Sequence, residues 1–187
     1  LARLEEAGIE FDPKDRRIQR LLDEVKEREF LGYSYDGAEA SFELLARRIL
    51  GDVPEFFDVE SFRVLVERRY NALGDLVTVS EATVKVVVDG DKLISVGEGN
   101  GPVNALDQAL RKDLGKYSPY IEDLRLADFK VRILTSGTEA VTRVMIESMD
   151  GKGNRWFTVG VSPNIVDASF QALNDSIVWK LLRDGAP

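Results

Sequence analysis

The residues best suited to chemistry lie in one short run, Gly97-Glu98-Gly99-Asn100-Gly101-Pro102, between a strand-like stretch and a helical one. Glycines let a backbone approach a ligand closely, and a helix start offers unpaired N–H groups to an anion. A phosphate or carboxylate is therefore the ligand to weigh. The parts of a nucleotide loop are missing. No Gly-Lys-Ser/Thr is present, the spacing is GxGxGP rather than GxGxxG, and no parallel βαβ unit surrounds it. A plain tight turn and a site for a small carboxylate remain as readings. A second run, Ser162-Pro163-Asn164, opens a later helix. If the two helix starts flank one groove, a free amino acid suits it. Its carboxylate would meet backbone N–H groups, and its ammonium would need Glu139, Asp128 or Glu98. Each of those carboxylates reads equally as a solvated surface charge.

Composition narrows the alternatives. The chain has 187 residues, with 25 Lys plus Arg, 33 Asp plus Glu, and neither His nor Cys. A thiol nucleophile, a disulfide scaffold, an imidazole base and a His- or Cys-ligated metal are therefore excluded. The net charge of −8 argues against a nucleic-acid partner, which needs a basic surface. No stretch approaches the ~18 apolar residues of a membrane span, so no membrane partner is expected. The first residues, LARLEEAGIEF, lack the layout of a signal peptide, which makes a cytoplasmic setting the expectation. A start at Leu1 suggests a piece of a longer protein.

The elements that must position these residues follow from periodicity. Residues 1 to about 52 read as helical. Asp12-Pro13 is expected to open one helix, with Ile18, Leu21, Leu22, Val25 and Phe30 as its stripe. Gly32 to Tyr35 breaks it. Asp36 is expected to cap a second helix, which Gly51 and Pro54 end. From Phe56 the period becomes two. Strands are expected at Phe62–Glu67, Ala82–Val88 and Lys92–Val96, the last two joined at Asp89-Gly90, and a helix at Val103–Leu114. The order then repeats: strands at Phe129–Leu134, Val141–Met149 and Arg155–Val159, with a turn at Asp150-Gly151 and a helix running to Leu182. Lys85, Arg132 and Arg143 read as outward-facing strand residues. Trp156 and Trp179 read as core or interface anchors.

The repeat is visible in letters. VGEGNGPVNALDQAL (96–110) and VGVSPNIVDASFQAL (159–173) align without a gap. Val96, Gly97, Val103, Ala105, Gln108, Ala109 and Leu110 recur 63 positions later. The expected fold class is thus α+β: a helical connector (1–54), then a domain of two pseudo-symmetric βββα units (55–117 and 125–187). A sheet with one helix leaves its other face needing a partner, which favours a homodimer.

EGNGPVNALDQALRKDL (98–114), GTEAVTRVMIES (137–148) and TVGVSPNIVDASFQALNDSIVWKLL (158–182) closely resemble the C-terminal regulatory domain of the 2-isopropylmalate synthase and citramalate synthase family. GYSYDGAEASFELLARRILG (32–51) resembles the connector of its citramalate branch, and the wording as a whole favours that branch. The resemblance implies a parent enzyme with a (β/α)8 barrel and a divalent metal, condensing acetyl-CoA with a 2-oxo acid, pyruvate in the citramalate branch. The barrel's His-containing metal motif is absent here, so this chain should be inactive alone and hold no cofactor. The resemblance further implies a dimer that binds the pathway's end product, isoleucine in the citramalate branch and leucine in the other. On matching positions the effector site comprises Gly99, Asn100, Gly101 and Asn104; Leu126, Phe129 and Ile133; Ala140 and Thr142; and Pro163 with Ile165. Two further readings stand beside it: a dimerisation module without a working effector site, and an enzyme using Glu98 and Glu139.

Overall fold

A computed structural model describes residues 1–135 and 140–187. The expectations placed on Glu139 and on the start of the GTEA segment lie outside the described residues. In chain order the elements are helices α1 (Ala2–Glu6), α2 (Arg16–Leu31) and α3 (Glu39–Leu50), then strands β1 (Asp58–Tyr70), β2 (Leu76–Val88) and β3 (Asp91–Gly99). Helix α4 (Pro102–Lys112), a 3-10 turn at Gly115–Tyr117 and the short helix α5 (Ser118–Ile121) follow. Strands β4 (Arg125–Ile133), β5 (Thr142–Met149) and β6 (Arg155–Ser162) lead into helix α6 (Ile165–Arg183). Each sheet is a three-stranded antiparallel meander, β1-β2-β3 and β4-β5-β6, so the α+β class and the two βββα units hold.

The chain divides into two compact units. One is Glu55–Glu122 with Asp184–Pro187. Here Ala82, Val84, Val86 and Val88 alternate along β2 as a buried row beneath Ala105, Leu106, Ala109 and Leu110 of α4. Strict alternation is what one helix on one sheet face requires. Strands β1 and β2 are each longer than β3, and only the Ser80–Val88 part of β2 has β3 beside it. Beyond that point β1 and β2 continue as a two-stranded ribbon, with Tyr70 and Leu76 exposed.

The other unit joins Leu1–Pro54 to Asp123–Arg183, so the three connector helices share it with the second sheet. Helix α6 covers β5 and β6 on one face, burying Val144, Ile146, Trp156 and Thr158. On the opposite face Val159 and Val161 of β6 join Ile18, Leu21, Tyr35, Phe42 and Leu45 in a single apolar cluster. Each fully buried leucine there contributes roughly 1.5–3 kcal/mol.

Several local expectations are corrected. Asp15, not Asp12, caps α2: its carboxylate accepts from the Arg17 N–H at 2.8 Å. Asp12 instead closes the preceding turn. Asp36 does not cap α3, which starts after Ala38 without a side-chain cap, and Asp36 pairs with Arg3. Phe30 is 90% exposed and lies off the buried stripe. Arg143 does not simply face solvent. Its Nε donates to the Gly32 carbonyl at 3.0 Å, just past the end of α2, and burial, with Arg132 nearby, lowers its pKa.

Candidate functional site

The glycines at the end of β3 have a packing reason. A Cβ on Gly97 would lie 2.5 Å from the Ala109 nitrogen and 2.8 Å from the Ala105 carbonyl. One on Gly99 would strike the Asn104 side chain and the Ala105 nitrogen. Gly160, which matches Gly97 in the second repeat, lies hard against the Ala168 carbonyl in the same way. The Val-Gly…Ala…Gln-Ala-Leu identity between the repeats is therefore the imprint of one strand–helix contact made twice. Gly101 differs: nothing lies within 4 Å of a Cβ there, and its φ of −162° is ordinary extended backbone.

The two helix starts are built differently. At α6 the Asn164 carboxamide oxygen accepts from the N–H groups of Val166 at 2.8 Å and Asp167 at 3.2 Å, and the Asn164 N–H donates to Ser162. That helix end is already capped from within. At α4 the cap position is Gly101, with no side-chain cap, and Pro102 takes the first turn. Asn104 is turned back to accept from the Asn100 N–H at 3.3 Å. The α4 start is thus the one whose positive end no side chain neutralises.

The remaining expected site residues lie in the other unit. Leu126, Phe129 and Ile133 stand opposite Ser148, Ile146 and Thr142, on the face that α6 packs against. Helix α6 stops short of β4, leaving Ile133 67% exposed. Ile133, Thr142 and Ser162 form one row across the sheet, and Pro163 and Ile165 follow at once, so these residues gather at one end of the unit. Ala140 precedes Thr142 at the same end, half-buried. Leu126 stands seven residues back along β4, roughly 23 Å from Ile133 at strand rise, and Phe129 roughly 13 Å. One small molecule cannot touch both ends of that row. Glu98 and Asp128 are exposed, and among the described residues no group of three or more acidic side chains is placed to hold a metal. No described helix is long and apolar enough to cross a membrane.

The sequence reading missed Asn164 as a cap, although Asn just before an apolar helical run is a recognised start signal. It also missed Gln171. That side chain donates to the Val161 carbonyl at 3.0 Å and accepts from its N–H at 3.2 Å, closing the free edge of β6 as a neighbouring strand would.

A helical segment followed by two βββα units, each locked by a glycine-tight strand–helix corner, defines a duplicated α+β domain. Residues 36–180 match the LeuA allosteric (dimerisation) domain, and the chain belongs to that family. It is 48% identical to an (R)-citramalate synthase of Aquifex aeolicus, over 97% of this chain and 34% of that protein. A Geobacter sulfurreducens (R)-citramalate synthase is 51% identical over 97% of the chain and 34% of its own length. A 2-isopropylmalate synthase of Dictyoglomus turgidum is more distant, 26% identical over 95% of the chain and 33% of its own length. The chain spans about a third of the length of the curated relatives it matches.

Proposed function

We propose that this chain is the effector-sensing and dimerisation part of an acetyl-CoA-dependent acyltransferase of the citramalate synthase kind, forming a homodimer and binding isoleucine as a feedback inhibitor. The observation that carries the effector reading is the contrast between the helix starts. Asn164 occupies the donors of α6, whereas α4 begins at Gly101 with no side-chain cap. A carboxylate at the Gly99–Asn104 corner would meet N–H groups and the positive end of α4. Within the other unit, the exposed Ile133 and Ile165 beside the buried Thr142 are by themselves branched apolar surface of a kind that suits an aliphatic side chain. The citramalate branch is supported by the identities above, 48% and 51% against 26% for the leucine-pathway relative. The parent's condensation of acetyl-CoA with pyruvate, and its metal, belong to a barrel that this chain does not include.

Calorimetry with isoleucine, leucine and valine tests the reading, together with sedimentation of the free chain. The expected result is heat and a raised melting temperature with isoleucine at millimolar concentration, since a ligand selective for the folded state stabilises it. A stronger response to leucine would move the chain to the leucine-sensing branch. A dimer answering none of the three would leave assembly as its sole role.

A further inference from the structure

Helix α6 carries three polar side chains at four-residue spacing, Gln171, Asp175 and Trp179, and each is bonded to a connector residue. Tyr33 Oη donates to Gln171 Oε1. Ser41 Oγ donates to Asp175 Oδ2 at 2.9 Å, and Arg48 donates to Asp175 Oδ1 at 3.0 Å. Trp179 Nε1 donates to Glu43 Oε2 at 3.2 Å. Four-residue spacing keeps the three on nearly one helix face, so the bonds form a continuous seam along α6. Ser41 also accepts from the Val159 N–H at 3.0 Å, and Gln171 holds Val161, so the same residues grip the edge of β6.

The repeat isolates what is special about this stripe. Gln171 is shared with Gln108, but Asp175 falls where the first repeat has Lys112, whose ammonium reaches its own strand at the Val96 carbonyl. Both repeats need the helix to pack on its sheet; the carboxylate at 175 serves the connector alone. The other end of α6 begins at Ile165, beside Thr142 and Pro163. A helix is stiff along its axis, so a displacement at Ile165 is carried to all three seam positions together. Hydrogen bonds respond to such shifts steeply, because their strength falls off with angle and distance.

We infer that the Gln171–Asp175–Trp179 stripe is a releasable seam through which an aliphatic side chain seated at the Ile133–Ile165 end of this unit alters the docking of α3. This rests on the effector reading above for its ligand. The seam is bonded in this structure, and coupling two sites requires that it also have a second, hydrated condition, which hydrogen exchange reads out.

Hydrogen exchange on the intact chain tests it, with and without isoleucine, in the wild type and in the double variant Ser41→Ala/Trp179→Phe. Neither residue lies at the proposed effector site. In the free wild type, amides of α3 should exchange about tenfold faster than those of β5, because a local opening that releases α3 costs less than unfolding the central strand. The double variant should speed α3 by about another tenfold and leave β5 unchanged, as expected when the bonds of Ser41 to Asp175 and to the Val159 N–H and that of Trp179 to Glu43 are removed. Isoleucine should alter α3 exchange in the wild type and have little effect on it in the variant, while calorimetry gives both proteins the same affinity within about twofold. Two results would overturn the seam: α3 and β5 exchanging together in both free proteins, or an undiminished α3 response in the variant. Absence of isoleucine heat in both proteins would sink the effector reading alone, and the free-protein comparison would still judge the seam. Asp175→Asn, which keeps the shape, is a second probe and should speed α3 in the same direction.

Discussion

Gly160 lies so close beneath the Ala168 carbonyl that no side chain fits between β6 and α6. Gly97 stands in the same relation to Ala105 and Ala109 in the first repeat. The shared letters thus mark where two elements touch through backbone atoms.

Gly160→Ala should therefore be among the most damaging single substitutions, because the atoms in the way are main chain and cannot swing aside. A loss of about 3 kcal/mol or more, or failure to fold, is expected in urea unfolding. Gly101→Ala, with open space around it, should fall within about 0.5 kcal/mol of the wild type.

Asn164→Ala removes the acceptor for two N–H groups at the start of α6. It should cost about 1 kcal/mol. Asn164→Asp should recover most of that, since a carboxylate accepts the same bonds and favours the helix dipole. Urea midpoints of the three proteins give the comparison.

Ile133→Ala should weaken isoleucine binding about tenfold in calorimetry, the usual consequence of removing methylenes from an apolar contact. Leu126→Ala, some 23 Å away along β4 at strand rise, should leave the affinity unchanged. Equal losses from both would mean that the site lies elsewhere on the strand.

Two carboxyls should titrate in opposite directions. Asp150 accepts from the Asn154 side chain and from the N–H groups of Asn154 and Lys152, which hold its pKa below 3.8. Its folded value is depressed, so its contribution to stability is present above about pH 4 and lost as the pH falls through the folded value. For Asp175, burial pushes the carboxyl above 3.8, and the Arg48 charge and the Ser41 hydroxyl only partly offset it. The folded form then holds its proton more tightly than the unfolded one. The Asp175 contribution is greatest at low pH and declines as the pH rises from about 4 through the folded value. Carboxyl NMR titration should find the Asp150 midpoint below that of Asp175.

Much of the architecture could be read from local pattern. The alternation at Ala82–Val88 and Val141–Met149 gave the central strands, and Asp89-Gly90 gave the first turn; the second is a longer loop from Asp150 to Asn154, with Gly153 rather than Gly151 at positive φ. Seven identities at a spacing of 63 residues gave the repeat. Boundaries were less legible: β1 extends to Tyr70 and β2 starts at Leu76, because the Asn71–Asp75 turn is closed by Asn71 side-chain bonds that carry no apolar signal. The expected site residues fell on two helix starts and a strand. The expected strand began at Phe129, and the observed one begins at Arg125, which places Leu126 and Ile133 seven residues apart along one strand.

The amino-acid sequence by itself determined the periods, the turns and the duplication, because each depends on residues within a few positions of one another. Tertiary structure alone decided that Val159 and Val161 bury against Phe42 and Leu45, that Arg143 meets Gly32, and that Asp175 faces Ser41 and Arg48. Those partners lie more than 100 residues apart in the chain, and an apolar or charged side chain does not specify which distant surface will cover it.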